Sequence, residues 1–473
     1  MKLNYKRIIL VGFAFFLIQA FWQAYDNTIP MILTNKFGMS QAWSGAIMAL
    51  DNVLALFMLP LFGAISDKHH SKWGRRTPFI VVGTLIAAVM LIALSFVDNA
   101  QLHHISDVAA IDDPAALETI YDREADETLL TPGGQKFVLS RQFTKEEFTQ
   151  IRSQITVDGA AVTNPDYTNY VMPARQACAW DATAKSPVTL VFFIALLLVI
   201  LVSMAVFRSP AVALMPDVTL KPLRSKANAV INLMGSAGGI LVLVLGMVFA
   251  TSAVRNSLMS YTGYFAVIAA IMLAALVVFM LTVRENEWAA EMQQQSVELG
   301  LEDKEEAATG ERKLSVDEVK SLIFLLLSIV LWFFGYNAVT SKYSVYASNI
   351  LHKDYNLTLI IAQAAAIISY LPVGFIASKV GRKKTILAGV VMLTAAFTTA
   401  SFMSAESPTM LMNAMFALAG IAWATINVNS FPMVVEMCSG GNVGKYTGFY
   451  YTASMAAQVA TPMLSGLLMD RMG

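Results

Sequence analysis

The chain has 473 residues and a formal net charge of zero, and it is 56% hydrophobic but only 14% charged. A soluble chain of this length carries about a quarter charged residues, so an ordinary soluble domain is excluded. Zero net charge offers nothing to a nucleic-acid partner, and the mean hydropathy of +0.58 points to membrane spans joined by polar turns.

Lys2, Lys6 and Arg7 precede an apolar run from Ile8 past Trp22 to Leu33. No small-x-small cleavage site closes it, so it reads as a first membrane helix rather than a signal peptide. Further helices are predicted at 41–65, 78–98, 188–215, 228–251 and 261–283. A polar, acidic linker follows over 284–320, including Glu302, Asp303, Lys304, Glu305 and Glu306. The second half gives helices at 321–342, 355–378, 384–403, 408–434 and 445–469. This divides the chain into an N-terminal bundle over 1–283, a linker over 284–320 and a C-terminal bundle over 321–473. The fold class is all-α, with eleven membrane helices.

Residues 99–186 interrupt the alternation of span and turn. The segment is acidic (Asp107, Asp112, Asp113, Glu118, Asp122, Glu124, Asp126, Glu127) and too polar for the bilayer. Thr144-Lys145-Glu146-Glu147 is a capping box opening a helix through Phe148 and Ile151. Pro132-Gly133-Gly134 reads as a turn into a strand at Lys136-Phe137-Val138-Leu139. A small folded domain outside the membrane is expected.

Basic residues orient the chain. Lys68, Lys72, Arg75 and Arg76 share one side with the loops 221–226 and 379–384, the N-terminus and the linker. The opposite loops hold only Lys36, Arg255 and Lys353. The positive-inside rule makes the first side cytoplasmic, in a plasma or bacterial inner membrane. Cys178 and Cys438 then lie on opposite sides and should not pair. No metal motif or cofactor motif appears.

The loop over 63–80 reads GAISDKHHSKWGRRTPFI, and 374–385 reads GFIASKVGRKKT. Each follows the second apolar run of its half, and both fit G-x-x-x-[DS]-K…G-R-[RK], which marks an internal duplication. This pair resembles the loop signature of the major facilitator superfamily. The extension Trp73-Gly74-Arg75-Arg76-Thr77-Pro78-Phe79 is similar to the sugar-cation symporters of the glycoside-pentoside-hexuronide and sucrose-transporter type. Ala227-Asn228-Ala229, after Asp217 and Arg224, resembles the sucrose branch. The resemblance implies two six-helix bundles, alternating access, and a twelfth helix beyond Asp470-Arg471-Met472-Gly473. It also implies that Asp67 with Arg75 and Arg76 closes the cytoplasmic gate, with Gly63, Gly374 and Arg382 in the same device. Ser378 replaces the acid in the second copy.

Departures from the family are informative. Aligned on Trp73, the acidic positions of the sodium-coupled melibiose type are Leu59 and Ala55 here, although Pro60 matches. The helix-four arginine of the sucrose branch falls on Val212 and its aspartate on Leu201, while Arg208 stands one turn earlier.

Burying a charge at membrane depth costs at least about 2.5–3.5 kcal/mol, so Asp26, Asp51 and Arg208 need a reason to be there. Asp51 lies about 15 Å along helix two, near the midplane. Protonation removes a charge that a low dielectric penalises, so Asp51 and then Asp26 are the expected coupling groups, with a proton as the coupling ion. A sugar site needs amides or charges for hydroxyls and aromatic planes for C–H faces. Helix one offers Trp22, Gln23 and Asn27, and helix two Asn52. Arg208 comes from helix four. The second half offers Trp332, Tyr336, Asn337, Gln363, Tyr370, Trp423, Asn427 and Gln458. Lys342 reads as an interfacial residue. The expectation is a monomeric, proton-coupled importer of a di- or oligosaccharide, not an enzyme. A sugar-binding receptor or sensor and an exporter of another small solute are the alternatives.

Overall fold

The computed structural model describes residues 2–157, 160–251, 253–301, 314–340, 343, 355–404, 406–438 and 440–472. Glu302, Asp303, Lys304, Glu305, Glu306, Lys342, Lys353 and Gly473 lie outside the described residues, as do the side chains of Asp470, Arg471 and Met472.

Helix α1 (Tyr5–Asn35) starts where Asn4 accepts the Arg7 N–H at 3.2 Å. α2 (Gln41–Met48) and α3 (Leu50–Lys68) form one membrane crossing with a turn at Ala49. Pro78 sits in the first turn of α4 (Thr77–His104), where its missing N–H costs nothing. α4 runs six residues beyond the predicted end at 98 and carries the chain directly into the insert.

The insert holds α5 (Ser106–Ala109), α6 (Pro114–Glu124), α7 (Leu139–Gln142), α8 (Lys145–Gln150) and α9 (Met172–Lys185). Two antiparallel hairpins join them: β1 (Leu129–Leu130) with β2 (Lys136–Phe137), and β3 (Gln154–Val157) with β4 (Ala160–Thr163). Both bonds of the Thr144–Glu147 capping box are present. The helix that it opens ends at Gln150, and Leu139 begins α7 instead of extending the strand. Phe148, Leu117, Ile120, Tyr167 and Val171 form a core separate from the membrane helices. Cys178 is buried there and donates to Glu124 at 3.4 Å. Burial and that carboxylate push its thiol up, so it is an unreactive packing residue.

The other helices are α10 (Val188–Asp217), α11 (Arg224–Val248), α12 (Thr262–Thr282), α13 (Glu285–Glu298), α14 (Val316–Thr340), α15 (Tyr355–Val380), α16 (Arg382–Ser401), α17 (Thr409–Val435) and α18 (Val443–Met472). Ten crossings among the described residues are long and apolar enough for a bilayer, and the chain is a multi-pass membrane protein. α18 is a further 30-residue helix.

In the first half α1 packs on α11 and α12, and α4 on α10 and α12. In the second, α17 packs on α15 and α16, and α14 on α18. The halves meet in two main seams, α3 with α18 and α11 with α15. These are one contact used twice: the second crossing of each half meets the fifth crossing of the other. Gly63 and Gly374 occupy matching places in the two seams. A Cβ on Gly63 would stand 2.1 Å from the Gly444 carbonyl oxygen, and one on Gly374 would stand 3.0 Å from the Ala229 Cβ. The bare α-carbons let the backbones approach, as small residues do between membrane helices.

Candidate functional site: a charged centre between the halves and an ion-pair cluster at the basic end

Two residue clusters stand out. The first is at the end that carries the basic loops. Gly74 has φ +119°, a conformation that suits glycine, and turns the loop back into α4. The turn presents three backbone N–H groups, of Arg75, Arg76 and Thr77, each donating at 2.8 Å to the Glu285 carboxylate. The Thr77 hydroxyl adds a fourth bond at 2.7 Å. Glu285 is 2% exposed and belongs to α13, 208 residues away from Thr77. It serves as the α4 cap that no neighbouring side chain supplies.

Held this way, Arg76 reaches both Asp67 at 2.5 Å and Asp217 at 2.8 Å, while Arg75 reaches Asp217 at 2.7 Å. Asp67 also accepts the N–H groups of Gly444 and Lys445, both at 2.8 Å, at the start of α18. One carboxylate thus ties α3 to a helix N-terminus in the other half, where a negative charge is favoured. The second copy is a reduced version. Gly381 repeats the positive φ, at +95°. Arg382 pairs with Glu436 and crosses to Ser225 Oγ at 2.6 Å and the Lys221 carbonyl at 2.7 Å. Ser378 donates to Gly374 in its own helix at 2.9 Å and, among the described residues, makes no cross-half contact of the Asp67 kind. Glu285 and Glu436 were not singled out from the sequence. Glu436 had a signal, because it repeats Asp217 at the end of the fourth crossing of its half. Glu285 had none beyond its place after Arg284.

The second cluster lies midway along the helices. Arg208 on α10 projects between two rings, its guanidinium carbon 5.6 Å from the Trp22 ring and 4.9 Å from the Tyr451 ring. Asp26 and Asp51 lie within electrostatic range of Arg208 and of each other, without an ion pair within 4.0 Å among the described residues. Asp51 sits in the first turn of α3, just after the Ala49 turn. A helix start stabilises a carboxylate that lipid would reject. Asp26 is exposed, and Asp51, Asn52, Arg208 and Trp22 are half-buried. Gln23 donates to Asn27 at 3.1 Å.

Across the seam, Tyr336 stands 6.3 Å from Trp332 and 6.2 Å from Trp423, and Tyr370 is 6.3 Å from Trp423. Asn228 donates to the Asn427 and Val428 carbonyls at 3.3 and 2.9 Å, and Tyr450 donates to Asn427 Oδ1 at 3.4 Å. Gln363 is exposed and Gln458 half-buried, and among the described residues neither bonds to the cluster. Trp22 Nε1, the Tyr25 hydroxyl, Arg208 Nε, Trp332 Nε1 and Asn337 Nδ2 are buried polar atoms without a hydrogen-bond partner. They are five of the fifteen such atoms among the described residues, so they accompany the cluster and do not by themselves single it out.

A third polar group belongs to the junction with the insert. Lys36, read from the sequence as a loop cation, is fully buried, bonding Asp98 at 2.6 and 2.7 Å and the Met259 carbonyl at 2.7 Å. Asp98 and Gln101 were expected at the edge of a loop. They are buried because α4 continues past the bilayer into protein.

A family model described as Major Facilitator Superfamily matches residues 176–462, and one described as MFS/sugar transport protein matches residues 10–103. Two curated relatives from Arabidopsis thaliana match short segments. The sucrose transport protein SUC3 is 39% identical over 67 residues, which is 14% of this chain and 11% of that protein. SUC4 is 36% identical over 59 residues, 12% of each. The matched segments therefore span about a tenth of those relatives. Among solved structures, the proton:xylose symporter XylE bound to 6-bromo-6-deoxy-D-glucose aligns with a TM-score of 0.58 at 14% identity, covering 98% of this chain and 90% of that one. FucP in its outward conformation aligns at 0.57 and 13%, covering 98% and 92%. A bacterial homologue of the iron transporter ferroportin in an outward-facing state aligns at 0.57 and 11%, covering 99% and 92%. At such identities the likeness shows the fold.

Proposed function

Because the chain belongs to the Major Facilitator Superfamily, we propose that it is a proton-coupled importer of a glycoside, a di- or oligosaccharide, working by alternating access in a cell membrane. The observation that carries this reading is the centre between the halves: two carboxylates, one guanidinium and the aromatic rings around it. The sugar-transport family match and the names of the plant relatives support the substrate class. The basic end faces the cytoplasm by the positive-inside rule.

The charge balance supplies the mechanism. With Asp26 and Asp51 ionised beside Arg208, the cluster carries one net negative charge. One proton brings it to zero. A neutral cluster avoids the cost of carrying a net charge through a closed intermediate, so the loaded step from outward to inward is favoured after protonation. Arg208 and the neighbouring amides bind hydroxyls, and the Trp332–Tyr336–Trp423 group offers planes for C–H faces. Sugar displaces water around the carboxylates and favours the protonated state, so each ligand tightens the other by the same factor.

The test is uptake into proteoliposomes from a panel of sugars, with internal pH read in parallel. Asp51→Asn imitates the protonated state. It should keep sugar exchange and lose accumulation against a gradient. Undiminished accumulation by Asp51→Asn under an imposed pH gradient refutes Asp51 as the coupling carboxylate. Accumulation by the parent that follows sodium and ignores pH refutes proton coupling.

A further inference from the structure

The loop at the basic end is longer in the first copy than in the second. Asp67-Lys68 is followed by five residues before Gly74, whereas Ser378-Lys379 is followed only by Val380 before Gly381. The extra residues are not slack. Ser71 Oγ donates to the Gly74 carbonyl at 2.6 Å, and Asn286 Nδ2 donates to the Ser71 and Lys72 carbonyls at 3.1 Å each. Pinned to α13, the loop walls a cavity of about 360 Å³ with Lys72, Trp73, Met280, Val283, Arg284 and Glu287 on its lining.

The geometry points to a binding site in this cavity for an amphiphile with a phosphate headgroup, namely an anionic phospholipid. Trp73 is 60% exposed, and an exposed indole at the end of a span is typical of the headgroup level. Lys72 makes no ion pair among the described residues. Arg284 meets Glu287 at 3.3 Å on an open surface, a contact worth little, and keeps donors for a phosphate. Two carboxylates also line the cavity: Glu285, whose oxygens both face the α4 cap, and Glu287, paired with Arg284. Met280 and Val283 supply an apolar floor. Below the cavity, α4 exposes Val82, Leu85, Ile86 and Val89, and α12 exposes Val277 and Leu281. These residues form an apolar face on packed neighbouring helices along which acyl chains can lie. The second copy lacks Lys72 and Trp73 equivalents, so the site belongs to one half only.

The experiment uses the full chain in a neutral detergent and follows Tm against dioctanoyl-phosphatidylglycerol, dioctanoyl-phosphatidylcholine and sn-glycerol 3-phosphate. Phosphatidylglycerol should raise Tm saturably, with the other two giving little. Lys72→Ala/Arg284→Ala should raise the half-saturating concentration about tenfold or more, the loss expected for two cations near an anionic headgroup. Trp73→Ala should weaken it as well. All three side chains are exposed, so the variants should fold. An equal response to phosphatidylcholine overturns the charge reading. An equal response to glycerol phosphate overturns the lipid assignment. An unchanged midpoint in the double variant overturns the site. None of these outcomes bears on sugar or proton transport.

Discussion

Replacing Asp67 by Asn tests whether the cluster at the basic end is a lock between the halves. Asp67 receives the Gly444 and Lys445 N–H groups and the Arg76 guanidinium. Hydrogen bonds to a charged group are each worth about 1.5–3 kcal/mol. Asparagine keeps the shape and one acceptor oxygen, but its NH₂ group faces a donor. A net loss of about 2 kcal/mol follows, or roughly 30-fold in an equilibrium constant. Of the Asp67 bonds, those from Gly444 and Lys445 exist only while α3 and α18 are together at this end, and the Arg76 bond lies within the first half. The loss should therefore shift the population by that factor toward the state open at the basic end. Spin labels on exposed positions of these two helices, read by pulsed dipolar spectroscopy, should show the longer distance gaining population. Sugar affinity at the centre, half a membrane away, should change only as the population shift dictates. A variant with an unchanged distance distribution and lowered sugar affinity refutes the lock.

Glu285→Gln should open the same end, because four donors lose their shared charge at a cost of about 2–3 kcal/mol; combined with Asp67→Asn its effect should be less than additive, since both act through the Arg75–Arg76 turn. Arg208→Leu should weaken sugar binding by about 2–5 kcal/mol in equilibrium dialysis, and binding at parental affinity would remove Arg208 from the site. Phe148→Ala in the core of the insert should cost about 3–5 kcal/mol locally. Amide exchange should then speed up over the insert and not in the membrane helices, and equal acceleration in both would mean that the two fold as one unit.

The helices were legible because lipid makes the sequence explicit. Each crossing must be apolar over about twenty residues, and Pro, Gly or charge punctuates its ends. The duplicated loop was legible for a related reason: close backbone approach at the seams and positive φ at the turns favour glycine, and Gly63, Gly374, Gly74 and Gly381 recur in register. The end of α4 was misread because Asp98 and Gln101 look like surface residues until a folded insert covers them. The β3–β4 hairpin was also missed, although Asp158-Gly159 between β-branched residues is a hairpin signal. Glu285 was illegible in principle. Its partners are backbone N–H groups, which leave no mark on the sequence. The central residues were nameable one by one, since polar side chains in a bilayer need a reason. Their grouping around Arg208 depends on how the halves close.

The two seams share a backbone plan and differ in chemistry, and that difference sets where the cost of opening lies. At α3–α18 a carboxylate bridges a helix start and an arginine, and that arginine is anchored by a second buried acid. At α11–α15 the equivalent serine turns back into its own helix, leaving Arg382 to reach across to a hydroxyl and a carbonyl. The bonds that cross each seam involve a charged group, the Asp67 carboxylate at one and the Arg382 guanidinium at the other, and the Asp67 side chain is the more deeply buried of the two, at 4% against 12% exposed. Separation of the halves at the basic end should therefore be governed by the α3–α18 seam. Asp51 lies on α3, sixteen residues before Asp67. The helix that carries the proposed proton site is thus the helix that the lock holds, and protonation at its start can bias release at its end through one rigid element.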